Sequence, residues 1–318
     1  MRTIAVLLML FLESATTPAQ DASATRRTDA DAQAHFRSTS ELVVMTVTVQ
    51  KVSGAYVSSL ERDNFSIRED GVPQPIALFS SDDVPVDVAL VLDTSASVAE
   101  DIPLACQAAL TLARGLKAED RVAVFTFSDR ARLAQTFTDN RSDVERALST
   151  VHAASTTAHH DAMNVVLQSF AAMPTTDEAR RRAIVVLSDG EDTSSLSSYE
   201  DVLERARRLN VAVYTISLRG APVANHSAVA RQTTESAFEM RDLPFETGGR
   251  AFTLTKRDDL RGAYQSIAEE LGHQYSIAFV PQARVSGRFT RVRVDVNEPG
   301  LQVRTRTGYI SSGPSATR

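Results

Sequence analysis

Hydrophobic residues follow three successive patterns along this chain of 318 residues. Val43, Met45, Val47 and Val49 alternate with Val44, Thr46 and Thr48, the period of a strand with one buried face. Ser53-Gly54 turns the chain, and Phe65-Ser66-Ile67 and Pro75-Ile76-Ala77-Leu78-Phe79 predict two further short strands. Asp70-Gly71 between them is a hairpin signal. From Val84 the pattern changes to runs that are apolar throughout, at 86–92, 122–127, 183–187, 211–216 and 251–254. Leu104, Ala108, Leu112 and Leu116, and later Leu260, Tyr264, Ile267 and Leu271, fall on helical faces between such runs. This alternation predicts a sheet of mostly parallel strands covered on both sides. Arg132 to Phe137 follows Asp129-Arg130 closely enough to predict an antiparallel edge strand. After His273 the period of two returns, at Tyr275, Ile277 and Phe279, at Val292, Val294 and Val296, and at Leu301, Val303 and Thr305.

The expected fold is therefore α/β, with a doubly wound, mostly parallel six-stranded sheet over 84–272 inserted into a discontinuous antiparallel β-sandwich. Three strands from 39–83 and three from 273–310 would build that sandwich, since neither set buries enough surface alone. Residues 1–19 have a positive start at Arg2, a short apolar core from Ile4 to Leu12 and small residues at Thr17-Pro18-Ala19, as in a secretory signal cleaved after Ala19. That core is too short to span a bilayer. Residues 20–38 are expected to be a flexible leader and 311–318 a disordered tail. The expected location is secreted or periplasmic, with no membrane span.

Net charge is −6 and the basic residues are scattered, so the chain lacks the basic patch that holds nucleic acid. The single cysteine, Cys106, excludes an internal disulfide and lies in a helical pattern where a small buried apolar residue is the expected role.

The chemistry gathers at strand ends. The 86–92 run stops at Asp93-Thr94-Ser95-Ala96-Ser97, a carboxylate followed by two hydroxyls, the oxygen donors that hard divalent cations prefer. Leu187-Ser188 runs into Asp189-Gly190-Glu191-Asp192, and Ser155-Thr156-Thr157-Ala158 precedes a helix starting near Asp161. With strand order 3-2-1-4-5-6, the strands ending at Asp93 and Asp189 flank the reversal, where open sheets bind ligands. Taken singly, Asp93, Ser95, Ser97 or Thr157 could cap a helix, and Asp189-Gly190 could be a turn.

Together, Asp93-Thr94-Ser95-Ala96-Ser97, Thr157 and Asp189 resemble the metal-ion-dependent adhesion site of von Willebrand factor type A domains. Asp63 to Gly71 and the stretch from Gln274-Tyr275 to Gly308-Tyr309 resemble the related proteins first grouped from Acidobacteria. The resemblance implies a magnesium ion, with calcium or manganese as alternatives, held by Ser95, Ser97 and Thr157. Asp93 and Asp189 would stand near it directly or through water, and one open position would receive a carboxylate from a protein partner. Ser155-Thr156 replaces the glycines common before that threonine, and His159-His160 stand where relatives carry apolar or aromatic residues. Adjacent helical residues point in different directions, so packing or surface exposure is expected for this pair rather than a second metal.

The expected function is a non-enzymatic, adhesion-type protein-binding module. Two alternatives are a structural subunit of an envelope assembly with a stabilising metal and a metal-dependent hydrolase. The hydrolase reading lacks a Gly-x-Ser-x-Gly elbow and a glycine-rich phosphate loop.

Overall fold

The computed structural model describes residues 42–81, 84–153, 159–174, 179–188, 195–217, 228–282 and 286–311, the side chains of Ser97 and 228–237 excepted. Four strands come first: β1 (Val43–Lys51), β2 (Phe65–Glu69), β3 (Val72–Gln74) and β4 (Leu78–Ser81). The middle of the chain runs β5 (Val86–Asp93), α1 (Ile102–Gly115), β6 (Arg121–Phe127), β7 (Ala131–Thr138), α2 (Arg141–Ser149) and α3 (His159–Ala171). It continues through β8 (Arg181–Leu187), α4 (Tyr199–Leu209), β9 (Val211–Ser217), α5 (Ala228–Thr247), β10 (Ala251–Thr253) and α6 (Leu260–Leu271). Then come β11 (Gln274–Phe279), β12 (Phe289–Val296), β13 (Leu301–Arg304) and β14 (Gly308–Ile310).

The central sheet has the order β10-β9-β8-β5-β6-β7. Its pairings are parallel except for the β6–β7 edge hairpin. The chain thus builds outward from β5 on one side and resumes at β8 on the other, as the expected order required. β5 is buried along its whole length because it is covered on both faces. Val88, Leu90 and Leu92 enter one core with Ala108 and Leu112 of α1 and Tyr264 and Ile267 of α6. Ala89 and Val91 enter the other, with Val166 and Phe170 of α3 and Val202 and Ala206 of α4. Local sequence sets the helix ends. Ser198 and Asp201 form a capping box at α4, and Asn210 closes it in the left-handed conformation, φ 53°.

The outer strands form two antiparallel sheets, β13-β1-β11-β4 and β14-β12-β2-β3, each drawing strands from both sides of the α/β segment. Ser81 of β4 pairs with Tyr275 of β11, so the chain leaves for that segment and returns from it on neighbouring strands. One core is common to both sheets and includes Met45, Val47, Ile67, Tyr275, Phe279 and Val294.

The outer sheets depart from expectation in three places. Each side contributes four strands, not three. The Asp70-Gly71 turn, with φ of 44° and 86°, pairs β2 with 72–74 and not with 75–79; Pro73 is tolerated because β3 is an edge strand with no ladder partner on one side. Residues 78–81 cross to the other sheet, and 308–310 add a strand too short for its period to show. Helix α2, capped by the Asn140 side chain accepting from Ser142 N, was also not expected. Cys106 is half-buried, free and packed against the α1 core.

A buried acid joins the α/β segment to the outer strands. Glu270 of α6 is fully buried. Its Oε1 accepts from the Tyr214 hydroxyl at 2.7 Å, and its Oε2 faces the Arg304 guanidinium at 2.5 Å. Tyr56 also donates to Oε2, at 3.4 Å, and burial reinforced by Glu270 pushes its hydroxyl up to about 12. Gln274 donates to the Tyr214 hydroxyl at 3.0 Å and accepts from Arg181 at 2.8 Å, extending the cluster.

Removing one partner of a buried ion pair strands the other. Glu270→Ala is expected to cost about 3–5 kcal/mol, measured by urea unfolding followed by circular dichroism; a loss within the scatter of surface substitutions would show the pair to be dispensable. Burial raises the Cys106 thiol to about 11. The native chain should therefore react slowly with a thiol reagent at pH 8, where about a thousandth of the thiol is ionised, and rapidly in urea. Equal rates in both conditions would contradict the burial.

Candidate metal site

Parallel register fixes the centre of the site. Leu92 of β5 lies opposite Leu187 of β8, so the residues that follow, Asp93 and Ser188, emerge side by side at the carboxyl ends of the two strands. Asp93 is 2% exposed and Ser188 is fully buried. The Ser188 hydroxyl donates to Asp93 Oδ2 at 2.8 Å, and Ser95 N donates to Asp93 Oδ1 at 2.8 Å. Each of its two oxygens therefore accepts a hydrogen bond and has a fixed direction.

The loop after β5 is drawn toward β6 by Thr94, whose backbone N and hydroxyl both donate to Phe127 O at 2.8 Å. Ser95, 2% exposed, opens a 3-10 turn over Ala96–Asp101 and makes no side-chain cap to it. The capping role open to a serine here is thus not the one adopted. Arg257, just before α6, reaches Asp101 at 2.8 Å and ties the end of this turn to the last helix of the segment.

Of the expected site residues, Asp93 and Ser95 come together at the strand end. Ser97 lies in the 3-10 turn, where only its backbone is described. Thr157 and Asp189 lie outside the described residues, as do Ser155, Thr156, Glu191 and Asp192. His159 is buried and packs edge-on against Phe127, at 5.6 Å between ring centres. His160 faces Glu239 of α5, Nε2 to Oε2 3.1 Å. Both histidines therefore have structural contacts.

One residue that sequence reasoning did not assign to the site, Ser188, sits in it. Ser188 was legible only as the residue before Asp189. Asp161, in the first turn of α3, accepts from Leu196 N at 3.0 Å and Ser197 N at 2.9 Å, and its own N donates to Ser195 Oγ at 3.0 Å. Among the described residues, no group of three or more His, Cys, Asp or Glu is placed to hold a metal. The donors gathered at the ends of β5 and β8 are carboxylate and hydroxyl oxygens, which fit a hard divalent cation and not a soft one.

A family model for the von Willebrand factor type A domain matches residues 87–260. A UPF0353 protein of Nocardia farcinica (strain IFM 10152) is 25% identical over 215 residues, 59% of this chain and 63% of that protein. The chain thus spans less than two thirds of that curated relative. Among solved structures, a von Willebrand factor type A protein from Catenulispora acidiphila matches with a TM-score of 0.50 at 11% identity, over 78% of this chain and 73% of that one. Proximal thread matrix protein 1 from the mussel byssus, solved with a zinc-occupied MIDAS motif, matches with a TM-score of 0.48 at 17% identity, over 64% of this chain and 49% of that one. The Catenulispora match shows likeness of fold.

Ser188→Ala removes a buried donor to a carboxylate, and bonds to charged groups contribute about 1.5–3 kcal/mol. A loss of stability in that range is expected in metal-free urea unfolding. An unchanged midpoint would mean that Asp93 does not depend on this bond.

Proposed function

We propose, from the premise that this chain belongs to the von Willebrand factor type A family, that it binds a protein partner through a divalent metal. The observation that carries this reading is the buried Asp93 carboxylate, bridged to Ser188 where the strand order reverses. Asp93, Ser95, Ser97, Thr157 and Asp189 would hold the ion, magnesium in first place with calcium or manganese as alternatives. When bound, the ion supplies one open position that attracts a carboxylate oxygen of the partner. Asp93 contributes negative charge, and its hydrogen bonds from Ser95 N and the Ser188 hydroxyl keep that charge in place. We read the site as one of binding without turnover.

The proposed organisation places the α/β segment, 84–272, as an insertion in a discontinuous β-sandwich of 39–83 and 273–310. The pairing of β4 with β11 supports it, because the two ends of an inserted segment must lie together. The proposed setting is secreted or periplasmic, with 1–19 as a signal peptide. Among the described residues no helix is long and apolar enough to cross a membrane.

The test is capture from an envelope or secretome extract by the chain beginning at Gln20, with direct magnesium titration alongside. Capture in magnesium is expected to disappear with chelator and in Asp93→Ala while the fold persists by circular dichroism. Equal capture with and without metal would sink the reading. A fall in melting temperature on chelation with capture unchanged would favour a structural metal in an envelope assembly.

A further inference from the structure

We propose that a cavity beside the β2–β3 turn binds a small amino acid or amino alcohol, an ammonium group with an oxygen acceptor close to it. Two buried polar side chains that the fold leaves incompletely satisfied carry the inference. On β2, Phe65, Ile67 and Glu69 alternate inward, so Glu69 takes a core position where the period calls for an apolar residue. It lies opposite Val292 of β12, and Gln74 of β3 lies opposite Ile67. Glu69 is 6% exposed and Gln74 7%. Both line a cavity of about 150 Å³, together with the buried Thr290 and the exposed Asp70, Val72 and Arg288. The cavity therefore has a polar floor and a charged rim.

The plainer role for Glu69 is to tie strands together: its Oε1 accepts from the Tyr309 hydroxyl at 2.5 Å and its Oε2 from Gln282 N at 3.2 Å. That accounts for one bond on each oxygen, whereas a carboxylate offers about four acceptor positions. It also supplies no cation, and buried acids are normally paired. Arg288, the cation lining the cavity, is held by Asp70 at 2.9 Å, and Glu69 has no ion pair among the described residues. The lining thus has one carboxylate more than it has cations. Gln74 Nε2 is buried with no partner among the described residues, a donor without an acceptor. Water in the cavity meets the need of Gln74 and not that of Glu69. A ligand that meets both brings a positive group for Glu69 and an oxygen for Gln74. Volume sets its size: a protein cavity of about 150 Å³ holds benzene, about six non-hydrogen atoms. Glycine, alanine and ethanolamine fall within that limit.

The test is an NMR titration of the full chain in chelator, which keeps any metal-held position out of the measurement. The probes are glycine, ethanolamine, methylammonium and acetate, read at the backbone amides of Val72 and Gln74 and the side-chain amide of Gln74. Glycine and ethanolamine are expected to move these signals along a saturable curve. Methylammonium, which has no acceptor, and acetate, which has no cation, should bind about tenfold or more weakly. Glu69→Gln keeps the shape of the side chain and removes the acid, and Gln74→Met removes the donor. Each is expected to weaken glycine about tenfold or more, with the fold unchanged by circular dichroism. Gln74→Met leaves Glu69 and its bonds in place, and decides the matter should Glu69→Gln not fold. No saturable shift with glycine or ethanolamine overturns the inference, since the cavity then holds water only. Equal binding of methylammonium or acetate also overturns it. So does glycine binding undiminished in either variant that folds, because the site would then lie elsewhere on the chain.

Discussion

The adjacency of β5 and β8 is the constraint on which the rest of this molecule depends. These two strands are buried on both faces, are neighbours in the sheet and belong to opposite halves of the winding. A parallel pair in register must end together. Here the apolar residues Leu92 and Leu187 end together and hand over to Asp93 and Ser188. The site chemistry is thus a consequence of sheet register before it is a consequence of loop shape. The apolar cores on the two faces hold the strands rigidly enough for a 2.8 Å contact to be kept between side chains 95 residues apart in sequence.

A second constraint acts at the other end of the same segment. Glu270 brings a charge into a fully buried position, which is costly unless every lone pair finds a donor. Tyr214, Arg304 and Tyr56 supply those donors from β9, β13 and the turn after β1. Arg304 also donates to the carbonyls of Gly248 and Gly249, where the chain enters β10. Gly249 leaves no room for a Cβ, which would sit 1.8 Å from Val213 O. Close backbone approach and a charged joint therefore occur together where the outer strands meet the α/β segment. Such a joint favours one packing arrangement over sliding alternatives, which apolar contacts alone would permit.

Legibility followed periodicity. β5, β6, β8 and β9 were plain because strands covered on both faces read as unbroken apolar runs. β3 was hidden by Pro73, whose edge position is a property of the sheet and not of the local sequence. α2 was hidden because only Val144, Ala147 and Leu148 are buried in a helix otherwise polar. At the site, Asp93 and Ser95 could be picked out because their spacing is local. The role of Ser188 could not, because it depends on a partner 95 residues away that no local pattern reveals. Asp189 is legible as the carboxylate after an apolar run at the strand-order reversal, and Thr157 through the family resemblance; both lie outside the described residues.

The mixing of early and late strands in both outer sheets has a consequence for how the chain is made. Thr48 and Gln274 touch although 226 residues separate them, so β1 leaves the ribosome long before its partner exists. A loop of that length closes slowly in an open chain. The intervening α/β segment has mostly nearer contacts and can fold first, and its fold would bring β4 and β11 together, shortening the effective loop to almost nothing. The outer sheets would then assemble last, as a seal over an already folded α/β segment. Until that moment β1 and β4 lack their partners and the β2–β3 hairpin keeps one open edge, the stage of biogenesis most exposed to aggregation.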